Sequence, residues 1–209
     1  SMHPSTAEKP LVIGLLGGVG SGKSTVAAIL EELGCVVSNA DAIVQDLLES
    51  HEIQATLKEW WGPDVIGPDG KVNRTRVAAI VFSDAEQRIR LESMLHPRVE
   101  QERRAAFRHA PQARAHVIDA PLLLEAGLQD QCDVLIFVDS PHADRVQRVL
   151  ARGWTADDLN RREAAQWPLD RKRNHAHHVL VNDGSPATLH TLTSDLLEQL
   201  APRTCEGPR

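Results

Sequence analysis

The chain has few cysteines, few aromatic residues and no long apolar run. Its 209 residues include three cysteines, three phenylalanines and no tyrosine. Cys35, Cys132 and Cys205 are scattered and odd in number, which argues against a disulfide framework or a zinc site and favours the reducing cytoplasm. No apolar stretch approaches the roughly 20 residues of a membrane span, so no membrane partner is expected. The first ten residues lack an apolar core, so we expect no signal peptide.

Positive charge is also scarce. The chain has 23 Lys and Arg against 29 Asp and Glu, a net charge of −6. Without a basic stripe or many aromatic rings to stack on bases, a nucleic-acid partner is not expected. A few local Arg and Lys side chains can still bind the phosphates of a small ligand. The length suits one domain, or one domain with an insertion.

The most specific motif is a glycine-rich loop at residues 17–24. It reads GGVGSGKS and fits the P-loop pattern G-x-x-x-x-G-K-[ST]. An apolar run precedes it and a helical pattern follows, so its N–H groups can face phosphate oxygens at a helix N-terminus. Lys23 can reach the β- and γ-phosphates, and Ser24 can hold Mg²⁺. The alternative is a turn that only links strand to helix. The expected nucleotide-binding residues are Gly18, Gly20, Ser21, Gly22, Lys23, Ser24 and Thr25.

Strand and helix candidates alternate, which predicts an α/β fold with a parallel sheet covered by helices. Five short aliphatic runs are strand candidates, as expected for strands buried on both faces. They span 11–16, 35–38, 116–119, 134–139 and 179–182. We expect a single domain over 11–200, with a core (11–41, 112–140 and 176–200), a helical insertion (42–111) and a lid (141–175). Residues 1–10 and 201–209 are expected tails.

The insertion carries helical patterns and no good strand. Helices are expected at 42–49, 53–61, 74–81, 85–95 and 98–109. Ser83 and Glu86 have the spacing of a capping box that would open the fourth of these helices. The side chains expected to form a small core, rather than a ligand cage, are Trp60, Trp61, Phe82 and Leu91.

Two carboxylates follow strand candidates. Asp41 comes after the second strand and Asp119 ends the third. Ligands of doubly wound sheets bind at the carboxyl ends of strands. Asp41 is therefore placed to accept a proton from a substrate hydroxyl or to hold a Mg²⁺-bound water, and Asp119 to complete a Mg²⁺ site. The alternatives are a helix N-cap for Asp41 and a strand-end cap for Asp119.

The second helical block, 141–175, is rich in arginine. Arg145, Arg148 and Arg152 share one helix face by their spacing. A solvated face is the ordinary interpretation of such a run. A lid would instead supply charge to a transferring phosphoryl group and exclude water. We expect Arg148 and Arg152 to have this role, and Arg145 much less so. The basic residues that follow on the next two helices are Arg161, Arg162, Arg171, Lys172 and Arg173.

With these features placed, the chain resembles the dephospho-CoA kinase family over about residues 11–200. Nine segments carry the resemblance: 13–27, 39–41, 69–74, 81–82, 95–97 (Leu-His-Pro), 121–125, 148–152, 165–166 and 179–184. No single segment is decisive, but their order along a chain of this length is specific.

The resemblance implies a P-loop kinase core with a five-stranded parallel sheet, a helical CoA-binding insertion and a helical lid. It also implies transfer of the γ-phosphate of ATP to the ribose 3′-hydroxyl of dephospho-CoA. Mg²⁺ is the expected metal, and we expect a monomer. The implied catalytic residues are Asp41, Lys23 and Arg148. Arg152 and Asn182 would bind the nucleotide, and Ser24 and Asp119 the metal. The acceptor would be bound by Asp41, His96, Pro121 and Leu122.

Three positions depart from the family's usual pattern: Leu16 replaces Thr, Asn39 replaces Asp and Arg145 replaces Gln. None removes an implied catalytic residue, so activity should survive. A kinase for nucleoside monophosphates or shikimate would share the core and lid, but the Leu-His-Pro segment and the long insertion favour CoA chemistry. A non-enzymatic GTPase-type switch would need an Asn-Lys-x-Asp segment, and residues 181–183 lack the Lys.

Overall fold

The structure is a computed structural model that describes residues 8–203. Two compact units are present. Asn39–Ala106 forms one, here called the helical unit, and the described residues on either side of it in sequence form the other, here called the core unit. Cys205 and most of the two expected tails lie outside the described residues. None of the helices within 8–203 is long and apolar enough to cross a membrane.

A five-stranded parallel sheet forms the centre of the core unit, as the sequence predicts. Its strands are β1 (Leu11–Gly17), β2 (Val36–Asn39), β3 (Ala115–Asp119), β4 (Val134–Asp139) and β5 (His178–Val181). The order across the sheet is β2-β3-β1-β4-β5. Because β1 is central and pairs in parallel with β3 and β4, the loop that follows it emerges where a doubly wound sheet binds ligands.

Nine α-helices surround the sheet or build the helical unit within the described residues. They are α1 (Lys23–Glu32), α2 (Ala40–Glu49), α3 (His51–Trp61), α4 (Arg74–Ser83), α5 (Ala85–Arg108), α6 (His142–Ala151), α7 (Ala156–Ala164), α8 (Leu169–His175) and α9 (Pro186–Leu200). Apolar side chains of α1 and α9, including Leu30 and Leu197, join those of the strands in one buried cluster. The sequence analysis did not predict α9, although Ser185 as N-cap and Pro186 in its first turn are ordinary start signals.

The helical unit has the small core that the sequence predicts, but one of the four residues expected in it does not belong to it. Trp60, Trp61 and Leu91 pack against a buried cluster that includes Leu57 and Val77. Phe82 does not join them, because its side chain is 92% exposed. Helical spacing explains this result: residues three and four positions after Val77 share its face, whereas the fifth does not.

The helix break expected near His96 and Pro97 is wrong. The two helices predicted at 85–95 and 98–109 are one 24-residue helix, α5, with Pro97 inside it. A proline removes one helical hydrogen bond and clashes with the preceding turn, at a cost of about 3 kcal/mol. Leu95 and Val99, on either side of it, are both buried, so packing of the flanking turns offsets this cost.

The predicted capping box at Ser83 is also wrong. The Oδ1 atom of Asp84 accepts hydrogen bonds from the backbone N–H groups of Glu86 and Gln87, at 3.0 and 3.3 Å. The Ser83 hydroxyl instead donates to the carbonyls of Ala79 and Ile80 within α4. Because Ser83 is the last residue of α4, the cap of α5 passes to the next residue.

We predict that Asp84→Ala lowers the free energy of unfolding by about 0.5–2 kcal/mol, the usual effect of losing an N-cap. Ser83→Ala should change it by less than about 0.5 kcal/mol, as is typical for an exposed site. Urea unfolding followed by circular dichroism measures both variants. A larger loss in Ser83→Ala would contradict the assignment of the cap to Asp84.

Candidate active site

The glycine-rich loop joins the central strand to α1. Gly20 and Gly22 have φ values of 75° and 92°, in the left-handed region that glycine adopts freely. Gly22 is the N-cap of α1, and no side chain caps this helix. The N-cap residue therefore offers no side chain to the first N–H groups of α1, and a helix N-terminus of this kind suits an anion. Ser24 and Thr25 are exposed in the first turn.

Asn182 supports the main chain of this loop. It follows β5, is buried, and donates from Nδ2 to the carbonyl of Ser21 at 2.9 Å. A Cβ atom at position 22 would lie only 2.3 Å from that Nδ2 atom, so the approach requires glycine there. The amide of Asn182 thus holds the loop through a backbone contact, beside the place where a nucleotide would bind.

Lys23 and Asp119 come together at the carboxyl edge of the sheet. The Lys23 Nζ atom lies 2.9 Å from Oδ1 of Asp119, whose side chain is 6% exposed. The register of β1 and β3 sets this position, because Leu15 pairs with Asp119. Ser24 occupies the same first turn of α1 as Lys23. A carboxylate and a hydroxyl are ligands that suit Mg²⁺, which takes its remaining ligands from phosphates and water.

A denser metal site is absent from the described residues. They contain no group of three or more His, Cys, Asp or Glu side chains that could hold a metal ion. A metal at this edge of the sheet would therefore have few protein ligands. This donor set fits Mg²⁺ bound together with phosphate oxygens better than a metal bound by protein alone.

Arg148 contacts the loop from α6. Its Nη1 atom donates to the carbonyl of Gly20 at 2.8 Å and to Oγ of Ser140 at 2.7 Å. The guanidinium is therefore beside the P-loop, and it bonds to the main chain of the loop. Arg152, at the end of the same helix, is exposed.

Arg145 lies closer to the loop than the sequence analysis expected. It is buried and forms an ion pair with Glu163 of α7. A Cβ atom at Gly18 would lie 3.1 Å from its Nη1, and one at Gly20 would lie 2.8 Å from its carbonyl oxygen. Burial lowers the pKa of Arg145, which the charge of Asp139 partly opposes. Arg145 thus packs on the P-loop and links it to α7.

Sequence analysis missed the role of Lys172. It belongs to a basic run on α8, yet its side chain is 2% exposed. Its Nζ atom donates to Oε1 of Gln166 at 2.8 Å and to the carbonyl of Pro121 at 3.2 Å. Leu169 and Lys172 lie at i and i+3 on α8, and this spacing is a signal that could have indicated a shared inward face.

Asp41 is not the N-cap of α2. That role belongs to Asn39, whose Oδ1 accepts a hydrogen bond from the N–H of Ala42 at 3.0 Å. Asp41 lies in the first turn of the helix, and its side chain is exposed. The capping alternative for this carboxylate is therefore wrong, and the carboxylate is available for another role.

The other acceptor-binding candidates lie in different parts of the chain. His96 is exposed on α5 in the helical unit. Pro121 and Leu122 follow β3 in the core unit, two and three residues after Asp119. Leu122 is 44% exposed, although it is apolar and its neighbours Leu123 and Leu124 are buried.

The fold and the glycine-rich loop define the class of protein. The sheet is parallel, and the motif G-x-x-x-x-G-K-S follows its central strand. The loop leads into an uncapped helix N-terminus with a lysine–aspartate pair beside it, an arrangement typical of P-loop nucleotide-binding proteins.

Comparison with known proteins identifies the family. The model of the dephospho-CoA kinase family matches residues 11–188. The dephospho-CoA kinase of Corynebacterium glutamicum is 39% identical over 197 residues, covering 92% of this chain and 98% of that protein. The dephospho-CoA kinase of Deinococcus radiodurans is 40% identical over 204 residues, covering 96% and 97%. The chain belongs to the dephospho-CoA kinase family, and it is therefore a kinase that phosphorylates dephospho-CoA to CoA.

Solved structures share the fold. The crystal structure of TT1252 from Thermus thermophilus superposes with a TM-score of 0.80 at 34% identity, covering 94% of this chain and 100% of that chain. A dephospho-CoA kinase from Campylobacter jejuni superposes with a TM-score of 0.67 at 19% identity, covering 91% and 96%, which supports the fold.

We predict that Arg148→Ala lowers kcat by about 10²-fold, the usual scale for a charged donor at a developing charge, and raises the KM for ATP much less. Ser140→Ala removes one hydrogen-bond partner of Arg148 and keeps the guanidinium, so it should remain near wild type. Steady-state kinetics with varied ATP distinguishes the two. An equal loss of kcat in both variants would show that Arg148 acts only by supporting the loop.

Proposed function

We propose that this protein transfers the γ-phosphate of ATP to the ribose 3′-hydroxyl of dephospho-CoA, giving coenzyme A and ADP. The observation that carries this proposal is the Lys23–Asp119 pair at the uncapped N-terminus of α1, where phosphate and metal chemistry would meet. Family membership supports the acceptor and ATP as the donor.

The core unit would bind the nucleotide through the P-loop. Backbone N–H groups of 18–24 would surround the phosphates, with contacts from the Ser24 and Thr25 hydroxyls. Ser24 and Asp119 would hold Mg²⁺, which neutralises charge on the phosphate oxygens when it is bound. Lys23 would stabilise the charge that develops on the transferring phosphoryl group. Other nucleotide contacts are assigned to Gly18, Gly20, Ser21, Gly22, Arg152 and Asn182.

Asp41 would act on the acceptor. A secondary hydroxyl is a weak nucleophile whose proton leaves as the bond to phosphorus forms, and a carboxylate can accept this proton or orient the hydroxyl. Asn39 caps α2, so the Asp41 carboxylate has no competing capping role. His96, Pro121 and Leu122 are the proposed acceptor-binding residues, with 42–111 as the CoA-binding insertion and 141–175 as the lid. We further propose a monomer that works in the cytoplasm.

The first test is product formation. Dephospho-CoA incubated with the protein, ATP and Mg²⁺ should gain the mass of one phosphate, measured by mass spectrometry. Lys23→Ala should lower turnover by about 10²-fold or more, because it removes a charge that stabilises the transition state. Shikimate and nucleoside monophosphates serve as control acceptors. Phosphorylation of a control acceptor in place of dephospho-CoA would refute the proposal, and near-normal turnover in Lys23→Ala would refute the role of the P-loop lysine.

The second test concerns the carboxylate. Asp41→Asn should lower kcat by about 10²- to 10⁴-fold, the scale of a general base, with little change in ATP affinity. Stability should change little, because Asn39 and not Asp41 caps the helix. Asp46→Asn, an exposed carboxylate on the same helix, is the matched control and should keep wild-type kinetics. If Asp41→Asn stays active, the base lies elsewhere, and Asp119 is the next candidate.

A further inference from the structure

We propose that Lys172 is a positioning residue that fixes the Pro121–Glu125 segment in the form that binds the acceptor. This inference rests on the function proposed above. The ammonium donates to the carbonyl of Pro121, which is the first residue of the segment, and it pairs with Glu125, which is the last, at 3.4 Å. One buried cation therefore holds both ends of a five-residue turn.

The burial of this ammonium requires an explanation. Charged lysines are almost never fully buried unless they are paired, and a buried ion pair does not by itself stabilise a protein better than apolar side chains of similar volume. Burial lowers the pKa of Lys172, Glu125 raises it, and the charge of Lys23 lowers it further. An apolar side chain could fill the same space, so the hydrogen bonds that Lys172 makes are its distinctive contribution.

The turn itself is irregular. Its backbone bonds include Leu123 N–H to the carbonyl of Ala120 and Ala126 N–H to the carbonyl of Leu122, at 3.2 and 2.8 Å. Pro121 has no N–H to donate, and its carbonyl accepts a hydrogen bond from the Lys172 ammonium at 3.2 Å, which restrains the start of the turn. Both carboxylate oxygens of Glu125 are buried and accept no hydrogen bond of good geometry within 8–203. The Glu125 carboxylate at the end of the turn is thus held by its ion pair with the Lys172 ammonium.

The restrained turn leaves the side chain of Leu122 accessible at the surface. This side chain is 44% exposed, whereas those of Leu123 and Leu124 are buried. Backbone hydrogen bonds across residues 120–128 hold the turn, and the contacts of Lys172 add a restraint at its two ends, on either side of Leu122, which belongs to the proposed acceptor-binding set. The Lys172 ammonium also donates a hydrogen bond to Gln166, which lies between α7 and α8. The same ammonium therefore connects the turn to the proposed lid helices. The effect of Lys172 should therefore fall on the acceptor more than on ATP.

The test is the double variant Lys172→Met/Glu125→Gln, which removes both charges and leaves no unpaired ion. Steady-state kinetics should show a KM for dephospho-CoA at least tenfold higher, with the KM for ATP within threefold of wild type. The control is Arg114→Met/Glu198→Gln. Arg114 also joins a carboxylate to a backbone carbonyl, that of Ala201 at 3.0 Å, but it precedes β3 at the opposite edge of the sheet. This control variant should leave the KM values for dephospho-CoA and for ATP unchanged.

The outcomes separate this inference from the proposed function. Wild-type protein that makes no CoA refutes the function. Active wild type with unchanged or equally raised KM values in the double variant refutes the role of Lys172. If the double variant does not fold, the single variant Lys172→Arg is measured in its place. An arginine keeps the positive charge opposite Glu125 but displaces the hydrogen-bond donor from the carbonyl of Pro121. The same selective rise in the KM for dephospho-CoA supports the inference, and its absence refutes it.

Discussion

The parallel pairing of the strands brings Asp119 and Asn182 to the end of the sheet where the glycine-rich loop follows β1. Leu15 pairs with Asp119 on one side, and Gly17 pairs with Val138 on the other. Asp139 pairs in turn with Val181, which brings Asn182 to the same edge. Groups from three separate stretches of chain thus surround the loop after β1. Since a shift in register would displace them all, hydrogen bonding within the sheet controls the geometry of the site.

Contacts to the main chain keep the loop in shape before any phosphate binds. Arg148 bonds to the carbonyl of Gly20, and Asn182 bonds to that of Ser21. Asn182 can come so close only because position 22 is glycine, since a Cβ atom there would lie 2.3 Å from its Nδ2 atom. A loop whose N–H groups already point in one direction does not have to reorganise when charge develops on a phosphate, and this preorganisation is the main source of electrostatic catalysis.

The charges beside the loop are local exceptions in an acidic chain. The net charge is −6, yet Lys23, Arg145 and Arg148 lie in or against one loop of the core unit, and Lys172 lies near enough to Lys23 for the two charges to interact. Two of these cations are buried, and each faces a carboxylate, Glu163 for Arg145 and Glu125 for Lys172. Removing one partner of such a pair leaves an uncompensated charge, which is why these positions constrain each other.

The sequence by itself determined the P-loop, the five parallel strands and the family, because each follows from local spacing or from motif order. The roles assigned to Asp41, His96 and the other site residues stay predictions. Only the tertiary structure decided that Lys172 is buried, that α5 continues through Pro97 and that Asn39 caps α2. In the first two cases packing between residues distant in sequence overrides a local preference. In the third, two neighbouring polar residues compete for one helix end, and only the folded backbone selects between them.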